Sequence, residues 1–334
     1  MTSSRSRSAD RTLYLLVLAI LAVCALGAAV DAAEAQEPQG YFPGATTKLL
    51  VDGWSANGFQ RSYRLHVPTR HEDTSPTPLV VALHGGVATA KTFEDQSRFS
   101  PLADVEGFLV AYPNGIGIGP LLRHWNGGYC CARAMKKQID DIGFINAVIE
   151  DVAGRFQIDR SRIYVVGYSN GGMLAYNYAA EHPDKVAAVG IFASAPGLEL
   201  QDESYWVPRA EKLAATPVPL IHVHGFDDPR LRWRKPYKTR KKPRPEAFKP
   251  ERSAAYWAEV NGCTGEPSQR QFLDGAVTRW DWCSDSSSSV ALLGLEGWGH
   301  EWPSQARTSK KRRSRLRDFD AAVEMWAFFQ KHSR

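Results

Sequence analysis

Short apolar runs alternate with amphipathic stretches along most of the chain. In the stretches between the runs, apolar residues recur at helical spacing, and Asp140 or Asp141 can cap the helix that this spacing predicts to about Gly154. The alternation favours an α/β fold in one domain, with a mainly parallel central sheet and helices on both faces. The predicted strands are Gln60–Val67, Leu79–Leu83, Leu109–Tyr112, Ile163–Val166, Val186–Phe192, Leu220–Val223 and Val290–Leu293, and the other predicted helices are Gly171–Glu181, Ser253–Val260 and Phe319–His332.

The first 35 residues have the pattern of an export signal. Three arginines precede an apolar run from Leu13 to Val30, and Ala33-Glu34-Ala35 has the small-x-small form of a signal-peptidase site. The run is short for a bilayer span, so we expect cleavage before Gln36 rather than an uncleaved anchor, and no stable membrane span. The predicted organisation is a signal peptide over 1–35 and one catalytic domain over 36–334, secreted to the periplasm or the medium.

Export places the cysteines in an oxidising compartment, where disulfides form. A lipidation site at Cys24 is disfavoured because the preceding Val23 is bulky, and Cys24 leaves with the signal. The remaining four cysteines allow three pairings. We favour Cys263–Cys283, which closes a loop containing Gly and Trp, whereas Cys130 and Cys131 form a bridge between adjacent residues or stay reduced. No Cys-x-x-Cys and no nearby His pair supports zinc, so we expect no metal site.

The chemistry concentrates where predicted strands end. Ile163–Val166 runs into Gly167-Tyr168-Ser169-Asn170-Gly171, and a helix follows. A sharp strand-to-helix turn needs glycine at 167 and 171, because a side chain there would collide with neighbouring backbone. The Ser169 hydroxyl is then exposed at the edge of the sheet, near a helix N-terminus. We interpret Ser169 as a nucleophile; the alternative is a glycine-rich turn with an incidental serine.

A serine nucleophile needs a base, and in this kind of fold the chain order is Ser, acid, His. Of the nine histidines, His300 and His332 follow the acid candidates. We expect His332 to be solvated, because it lies at the end of a terminal helix. His300 lies in a tight loop after the strand Val290–Leu293. Elimination and position therefore both favour His300 as the base.

The acid is expected after the strand Leu220–Val223, which leads into Phe226-Asp227-Asp228-Pro229. Both Asp227 and Asp228 can orient an imidazole and stabilise its positive form. Asp228 is favoured because Asp227 lies closer to the end of the strand. Other carboxylates, at Glu199, Asp202 and Asp285, lie in loops less well placed.

An oxyanion site is predicted after the strand Leu79–Leu83. The residues that follow, His84-Gly85-Gly86, are small enough to let backbone N–H groups near Gly86 approach a tetrahedral oxyanion, and the N–H of Asn170 is the second donor. His84 precedes Ser169 in the chain, so we expect it to make a structural hydrogen bond in the turn rather than to act as the base.

Together these motifs resemble one family, the secreted poly(3-hydroxybutyrate) depolymerase-like esterases, which are close to feruloyl and acetyl-xylan esterases. The resemblance spans about residues 46–331. It is carried by Leu83–Gly86, Trp125 through Cys130-Cys131, Asp140–Phe144, Gly167–Gly172, His224-Gly225-x-x-Asp228, Asn261-Gly262-Cys263 and Gly299-His300-x-Trp302-Pro303.

The resemblance implies an α/β-hydrolase fold and hydrolysis of carboxylic esters without a cofactor. Carried over position by position, it implies that Ser169 is the nucleophile, Asp228 the acid and His300 the base. It also implies oxyanion donors at Asn170 and near Gly86. Tryptophans close to these loops either line an aromatic or polymer-binding cleft or serve in packing; they are Trp125, Trp206, Trp233, Trp298 and Trp302.

Charge separates this chain from the family pattern. Residues 230–244 hold nine basic and no acidic residues, and residues 307–317 hold seven basic and none acidic. Subtracting these 16 charges from the net +5 leaves −11 on the rest of the chain. Both segments follow strands that lead to Asp228 and His300, where the family usually has Val-Pro-Tyr and a Gly. They are expected either to rim the active site and attract an anionic polymer, surface or acyl group, or to be solvated loops.

Two other functions fit parts of the sequence. A serine peptidase would use the same three residues, but the chain lacks an appended propeller or proline-recognition domain. A non-catalytic protein of the same fold would bind polyanions through its basic segments, but it would not need Ser169, Asp228 and His300 together. Nucleic acid is not expected as a partner of an exported protein. The oligomeric state and the choice among polyhydroxyalkanoate, feruloylated and acetylated polysaccharide are not determined by the sequence.

Overall fold

The computed structural model describes residues 43–334 except 57, 73, 119–120, 198–202, 234–248, 285 and 305–313. Its centre is a ten-stranded sheet in the order β1-β2-β4-β3-β7-β8-β9-β12-β11-β10, and β5 and β6 form a separate antiparallel pair. The strands are β1 Thr46–Ala56, β2 Phe59–His66, β3 Thr77–Leu83, β4 Leu109–Pro113, β5 Ile116–Ile118, β6 Leu121–His124, β7 Ile158–Tyr168, β8 Ala188–Phe192, β9 Leu220–Gly225, β10 Ser268–Phe272, β11 Val277–Trp282 and β12 Val290–Leu295.

Eight α-helices are described, and they connect or flank the strands. They are α1 Ala90–Ser97, α2 Phe99–Glu106, α3 Ala132–Lys136, α4 Asp141–Arg155, α5 Asn170–Glu181, α6 Glu203–Ala215, α7 Pro250–Val260 and α8 Ala321–Phe329. The side chain of Asp140 accepts a hydrogen bond from the Gly143 N–H and so caps α4, and Asp320 caps α8 through the Ala322 N–H.

The six central strands, in the sheet order β4-β3-β7-β8-β9-β12, pair in parallel. The strands on either side of these six pair antiparallel. Every residue of β3, β4, β8, β9 and β12 is buried, as expected of strands covered on both faces. The predicted α/β fold with a mainly parallel sheet is therefore confirmed.

Strand β9 shows how the two faces are used. Side chains alternate across a strand, so Ile221 and Val223 face one side and His222 the other. Ile221 and Val223 belong to the same core cluster as Met325 of α8. His222 contacts Tyr176 of α5 instead. Helices therefore cover both sides of this strand.

The sequence pattern missed the edges of the sheet. Strand β1 has one buried residue of eleven, and β10 carries four exposed residues of five. Such strands lack the apolar run that marks a strand buried on both faces, so an apolar pattern does not detect them. The pattern also missed α1, α2, α3 and α6.

The predicted signal peptide lies outside the described residues. Within the described part of the chain, no helix is both long and apolar enough to cross a bilayer. Disulfides join Cys263 to Cys283 and Cys130 to Cys131. The first links the end of α7 to the end of β11, and the second lies in the loop before α3.

Candidate active site

Ser169 lies at the sharp turn between β7 and α5. Its backbone φ is +51°, in the left-handed region that is costly for a residue with a side chain, and its N–H donates to the Phe192 carbonyl of β8. A Cβ on Gly167 would lie 2.4 Å from the Gly171 oxygen, and a Cβ on Gly171 would lie 2.4 Å from the Leu83 oxygen. The turn therefore requires glycine at both positions for steric reasons.

Three side chains that are distant in sequence meet at this edge of the sheet. The Nε2 atom of His300 lies 2.9 Å from the Ser169 Oγ, and its Nδ1 atom lies 2.7 Å from the Asp228 Oδ2. The three residues follow β7, β9 and β12, whose carboxyl ends lie at one edge because these strands are parallel. In this arrangement His300 can accept the Ser169 proton, and Asp228 can hold the imidazole in the required tautomer.

The structure separates the two aspartates that the sequence left as alternatives. Asp228 is 2% exposed, whereas Asp227 is exposed. The second oxygen of Asp228 accepts hydrogen bonds from the backbone N–H groups of Arg230 (2.7 Å) and Leu231 (2.9 Å). Burial by itself raises the pKa of the Asp228 carboxyl, but hydrogen bonds from His224 and His300 outweigh burial and hold this pKa below its usual range. Asp228 is therefore an ionised, oriented carboxylate near neutral pH.

The two residues predicted to supply oxyanion donors are neighbours in the structure. Asn170 is the first residue of α5, so its N–H has no partner within the helix. Gly86 is close by, since a Cβ built on it would lie 3.7 Å from the Asn170 Cβ. The next amide, that of Val87, already donates to the Arg123 carbonyl. Gly86 and Asn170 therefore lie close together, and their role as oxyanion donors stays a prediction.

The side chain of Asn170 has a second function that the sequence did not reveal. Its amide oxygen accepts from the Trp125 N–H (2.7 Å), and its amide nitrogen donates to the Trp125 carbonyl (3.1 Å). Farther along the same loop, the Tyr129 hydroxyl donates to the Ala195 carbonyl. These bonds hold the loop that carries Cys130 and Cys131 over the start of α5.

The tryptophans close to the site serve in packing. Trp125, Trp298 and Trp302 are fully buried and Trp233 is 5% exposed, so none of the four presents a face to a cleft. The ring of Trp302 packs edge-on against Phe93 and Phe192. The cleft interpretation is therefore wrong for these four residues, and the side chain of Trp206 lies outside the described residues.

Two other histidines are structural. His84 is fully buried; its Nδ1 donates to the Gly85 carbonyl and its Nε2 accepts from the Gly115 N–H, and burial lowers its pKa to about 3. His332 is 8% exposed and bonded to the Ser289 hydroxyl, so the expectation that it is solvated is wrong. It is buried because the end of α8 packs against the start of β12.

Most of the two basic segments lies outside the described residues, as do Glu199, Asp202 and Asp285. The electrostatic interpretation of these segments therefore stays a prediction. No group of three or more His, Cys, Asp or Glu side chains in the described part of the chain is arranged to hold a metal ion.

Similarities to known proteins agree with this geometry. The model of the family described as esterase PHB depolymerase matches residues 61–199. A putative esterase, NocK, from Nocardia uniformis subsp. tsuyamanensis is 30% identical over 261 residues, which are 74% of this chain and 72% of that protein. Feruloyl esterase B from Piromyces equi is 27% identical over 234 residues, which are 70% of this chain and 41% of that protein.

Solved structures share the fold at low sequence identity. An acetyl xylan esterase from Aspergillus awamori superposes with a TM-score of 0.62 at 16% identity, covering 86% of this chain and 99% of that one. An S-formylglutathione hydrolase from Agrobacterium tumefaciens superposes with a TM-score of 0.54 at 14% identity, covering 89% of this chain and 98% of that one. These matches confirm the α/β-hydrolase fold. The family model and the sequence relatives confirm the resemblance of the motifs: this chain belongs to the esterase PHB depolymerase family and is a carboxylic ester hydrolase.

Proposed function

We propose that this protein is an exported serine esterase that works through Ser169, His300 and Asp228. The observation that carries the proposal is the unbroken contact from the Ser169 Oγ through both nitrogens of His300 to the buried Asp228 carboxylate, at 2.9 and 2.7 Å. The two disulfides support the exported location, because disulfides are rare in the cytosol.

The reaction has two halves. Ser169 attacks the ester carbonyl while His300 takes its proton, and the amides of Gly86 and Asn170 stabilise the negative oxygen of the tetrahedral intermediate. His300 then donates this proton to the leaving alcohol, and an acyl-enzyme remains. Water, deprotonated by His300, then attacks the acyl-enzyme, and the acid is released as His300 returns the proton to the Ser169 Oγ. The Asp228 carboxylate stabilises the imidazolium in both halves.

For the substrate we propose acylated plant polysaccharide. The relatives in support are named feruloyl esterase and acetylxylan esterase, among them the bifunctional acetylxylan esterase/xylanase XynS20E of Neocallimastix patriciarum, 26% identical over 78% of this chain. The family description points to a poly(hydroxyalkanoate) instead, so this polymer is the alternative that the assay must include.

The test compares three variants on one set of substrates. Ser169→Ala should lower kcat by about 10⁶-fold, and Asp228→Asn by about 10⁴-fold, because the neutral amide favours the wrong imidazole tautomer and no longer supports the imidazolium. Asp227→Asn is the matched control, since Asp227 is exposed. It should retain nearly full activity.

The substrates are p-nitrophenyl acetate, acetylated xylan, a feruloylated arabinoxylan, poly(3-hydroxybutyrate) and a peptide anilide. Release of acetate or ferulate from polysaccharide, with little hydrolysis of the anilide, is the expected result. Activity of Ser169→Ala at the level of the unmodified protein would refute the serine mechanism. Preference for the hydroxyalkanoate polymer would refute the substrate class alone.

A further inference from the structure

The Asp228 carboxylate stands at the end of a line of buried polar side chains. Behind it lie His224 and His222, alternate residues of β9, and then Tyr176 of α5. All three side chains are fully buried. A buried polar group is costly unless it is hydrogen-bonded, so the contacts along this line determine its stability.

The contacts form a continuous path. The Tyr176 hydroxyl lies 2.9 Å from the His222 Nδ1, and the His222 Nε2 lies 3.2 Å from the His224 Nδ1. The His224 Nε2 in turn lies 2.8 Å from the Leu231 carbonyl oxygen and 3.3 Å from the Asp228 Oδ2. The path therefore reaches both the acid and the loop that carries it.

The direction of every hydrogen bond on this path follows from its last member. A carbonyl oxygen only accepts, so the His224 Nε2 carries a hydrogen and points it at Leu231 and Asp228. In the neutral ring the Nδ1 atom of His224 then accepts from the His222 Nε2–H. The His222 Nδ1 accepts in the same way from the Tyr176 hydroxyl. One tautomer of each histidine satisfies all the contacts.

Burial keeps His222 and Tyr176 neutral. It lowers the pKa of His222 well below its usual value, and the neighbouring His224 adds to this, while burial raises the pKa of Tyr176 well above 10. Among the residues that the structure describes, the titratable groups near the line are Asp228 and His300 at one end and Tyr129 near Tyr176. Elsewhere it packs on aromatic rings, with Trp233 against His224 and Trp257 against Tyr176.

We propose that Tyr176, His222 and His224 are positioning residues that orient the Asp228 carboxylate for His300. The inference rests on the proposed function of the same site. One oxygen of Asp228 is held by two backbone amides, and the other is shared by His224 and His300. Donors on both oxygens prevent the carboxylate from rotating, so His300 keeps its Nε2 aimed at Ser169. The bond to the Leu231 carbonyl fixes the loop at the same time.

The test uses variants that remove hydrogen-bond donors and keep an aromatic ring at each position. His224→Phe should lower kcat for p-nitrophenyl acetate by about tenfold or more, because a carboxylate and a carbonyl lose a buried donor, while KM changes by less than about twofold. The acid limb of the pH profile of kcat/KM should move to higher pH, since a carboxylate no longer shared with His224 attracts the protonated His300 more strongly. Tyr176→Phe should also lower kcat and move the acid limb to higher pH, but by a smaller amount.

Tyr178→Phe is the matched control. Tyr178 is a buried residue of the same helix, but its hydroxyl donates to Asn146, 2.9 Å away, outside the path. It should lose stability like Tyr176→Phe and leave the pH profile in place. Profiles of His224→Phe and Tyr176→Phe that match Tyr178→Phe would overturn the proposal. If His224→Phe does not fold, Tyr176→Phe, which removes one oxygen atom, decides. Activity of Ser169→Ala would instead overturn the proposed function, so the two failures are distinguishable.

Discussion

Single atoms decide the geometry around Ser169. Its strained backbone is held by a bond from its N–H to β8, and its own carbonyl accepts from the Ser194 hydroxyl at 2.7 Å. Gly167 and Gly171, on either side, are needed because they have no Cβ atom. The Gly171 backbone lies so close to the end of β3 that the position has no room for a methyl group.

Gly171→Ala should therefore disrupt the site. The added Cβ would lie 2.4 Å from the Leu83 oxygen and 2.5 Å from the His84 oxygen, and both are backbone atoms that cannot move alone. We expect a loss of stability of about 1–3 kcal/mol and a larger relative loss of activity, because the displaced backbone is that of the proposed oxyanion segment.

Gly154→Ala is the matched control for this substitution. Gly154 is an exposed residue of α4, and a Cβ there would meet nothing within 4 Å. This variant should be more stable by about 0.5–1 kcal/mol, because alanine favours the helix. Unfolding in denaturant and p-nitrophenyl acetate hydrolysis measure both variants. Wild-type activity in Gly171→Ala would contradict the steric account of the turn.

At the scale of elements, a buried ion pair joins β2 to α4. Arg61 lies 2.7 Å from the Oδ1 of Asp141, and both side chains are almost fully buried. The other oxygen of Asp141 accepts from the Asn126 N–H in the loop before α3. The Arg61 guanidinium also lies over the Phe144 ring, 3.8 Å from its centroid. The pair therefore anchors the loop that packs on Asn170.

Removing one partner of this ion pair should lower the free energy of unfolding strongly, and removing the second partner as well should add less than its own single loss. Arg61→Met leaves a buried carboxylate without its counter-charge, which we expect to lower the free energy of unfolding by about 3–5 kcal/mol. In the double variant with Asp141→Asn, the loss should be smaller than the sum of the two single losses by more than about 1 kcal/mol. Denaturant unfolding of the four proteins measures this coupling.

The exposed pair Arg160–Glu150 is the control cycle. It has a similar contact distance, 2.6 Å, but its side chains are 57% and 54% exposed. Solvent screens such a pair, so its coupling should stay below about 1 kcal/mol. Equal couplings in the two cycles would show that burial does not strengthen the Arg61–Asp141 contact.

At the scale of the whole molecule, buried neutral histidines link stability to pH. Burial lowers the pKa of His84 to about 3 and that of His332 to about 4, and it lowers the pKa of His222 well below its usual value of 6.5. Below pH 6.5 the unfolded chain takes up protons that the folded chain does not bind. Each of these histidines therefore contributes stability that is complete above pH 6.5 and is lost as pH falls towards its folded pKa.

The free energy of unfolding should accordingly decrease from pH 7 to pH 4. His332→Gln can keep a bond to Ser289 and should reduce the protons taken up on unfolding in this range by up to about one. Denaturant unfolding at several pH values gives this number from the slope. Lys137→Gln, a control that removes the same charge from an exposed position, should leave the slope nearly unchanged. An equal slope in His332→Gln would mean that His332 already takes up its proton in the folded protein.

Runs of contiguous residues determined much of this picture without the tertiary structure. The Gly-x-Ser-x-Gly turn after an apolar strand depends on local steric limits, and the alternation of strands and helices predicted the parallel sheet. Order along the chain then singled out His300. Such features depend on residues that are close together or ordered along the chain, so they can be predicted from the sequence without the tertiary structure.

Contacts between distant segments decided the rest. Asp228 differs from Asp227 only by which carboxylate the folded loop buries, and Ser169 meets His300 across 131 residues. The buried tryptophans and the line from Tyr176 to His224 likewise depend on which helix covers which face of β9. A sequence shows which residues can donate, accept or pack. Only the folded chain decides which of them are excluded from water together, because burial depends on the packing of the entire molecule.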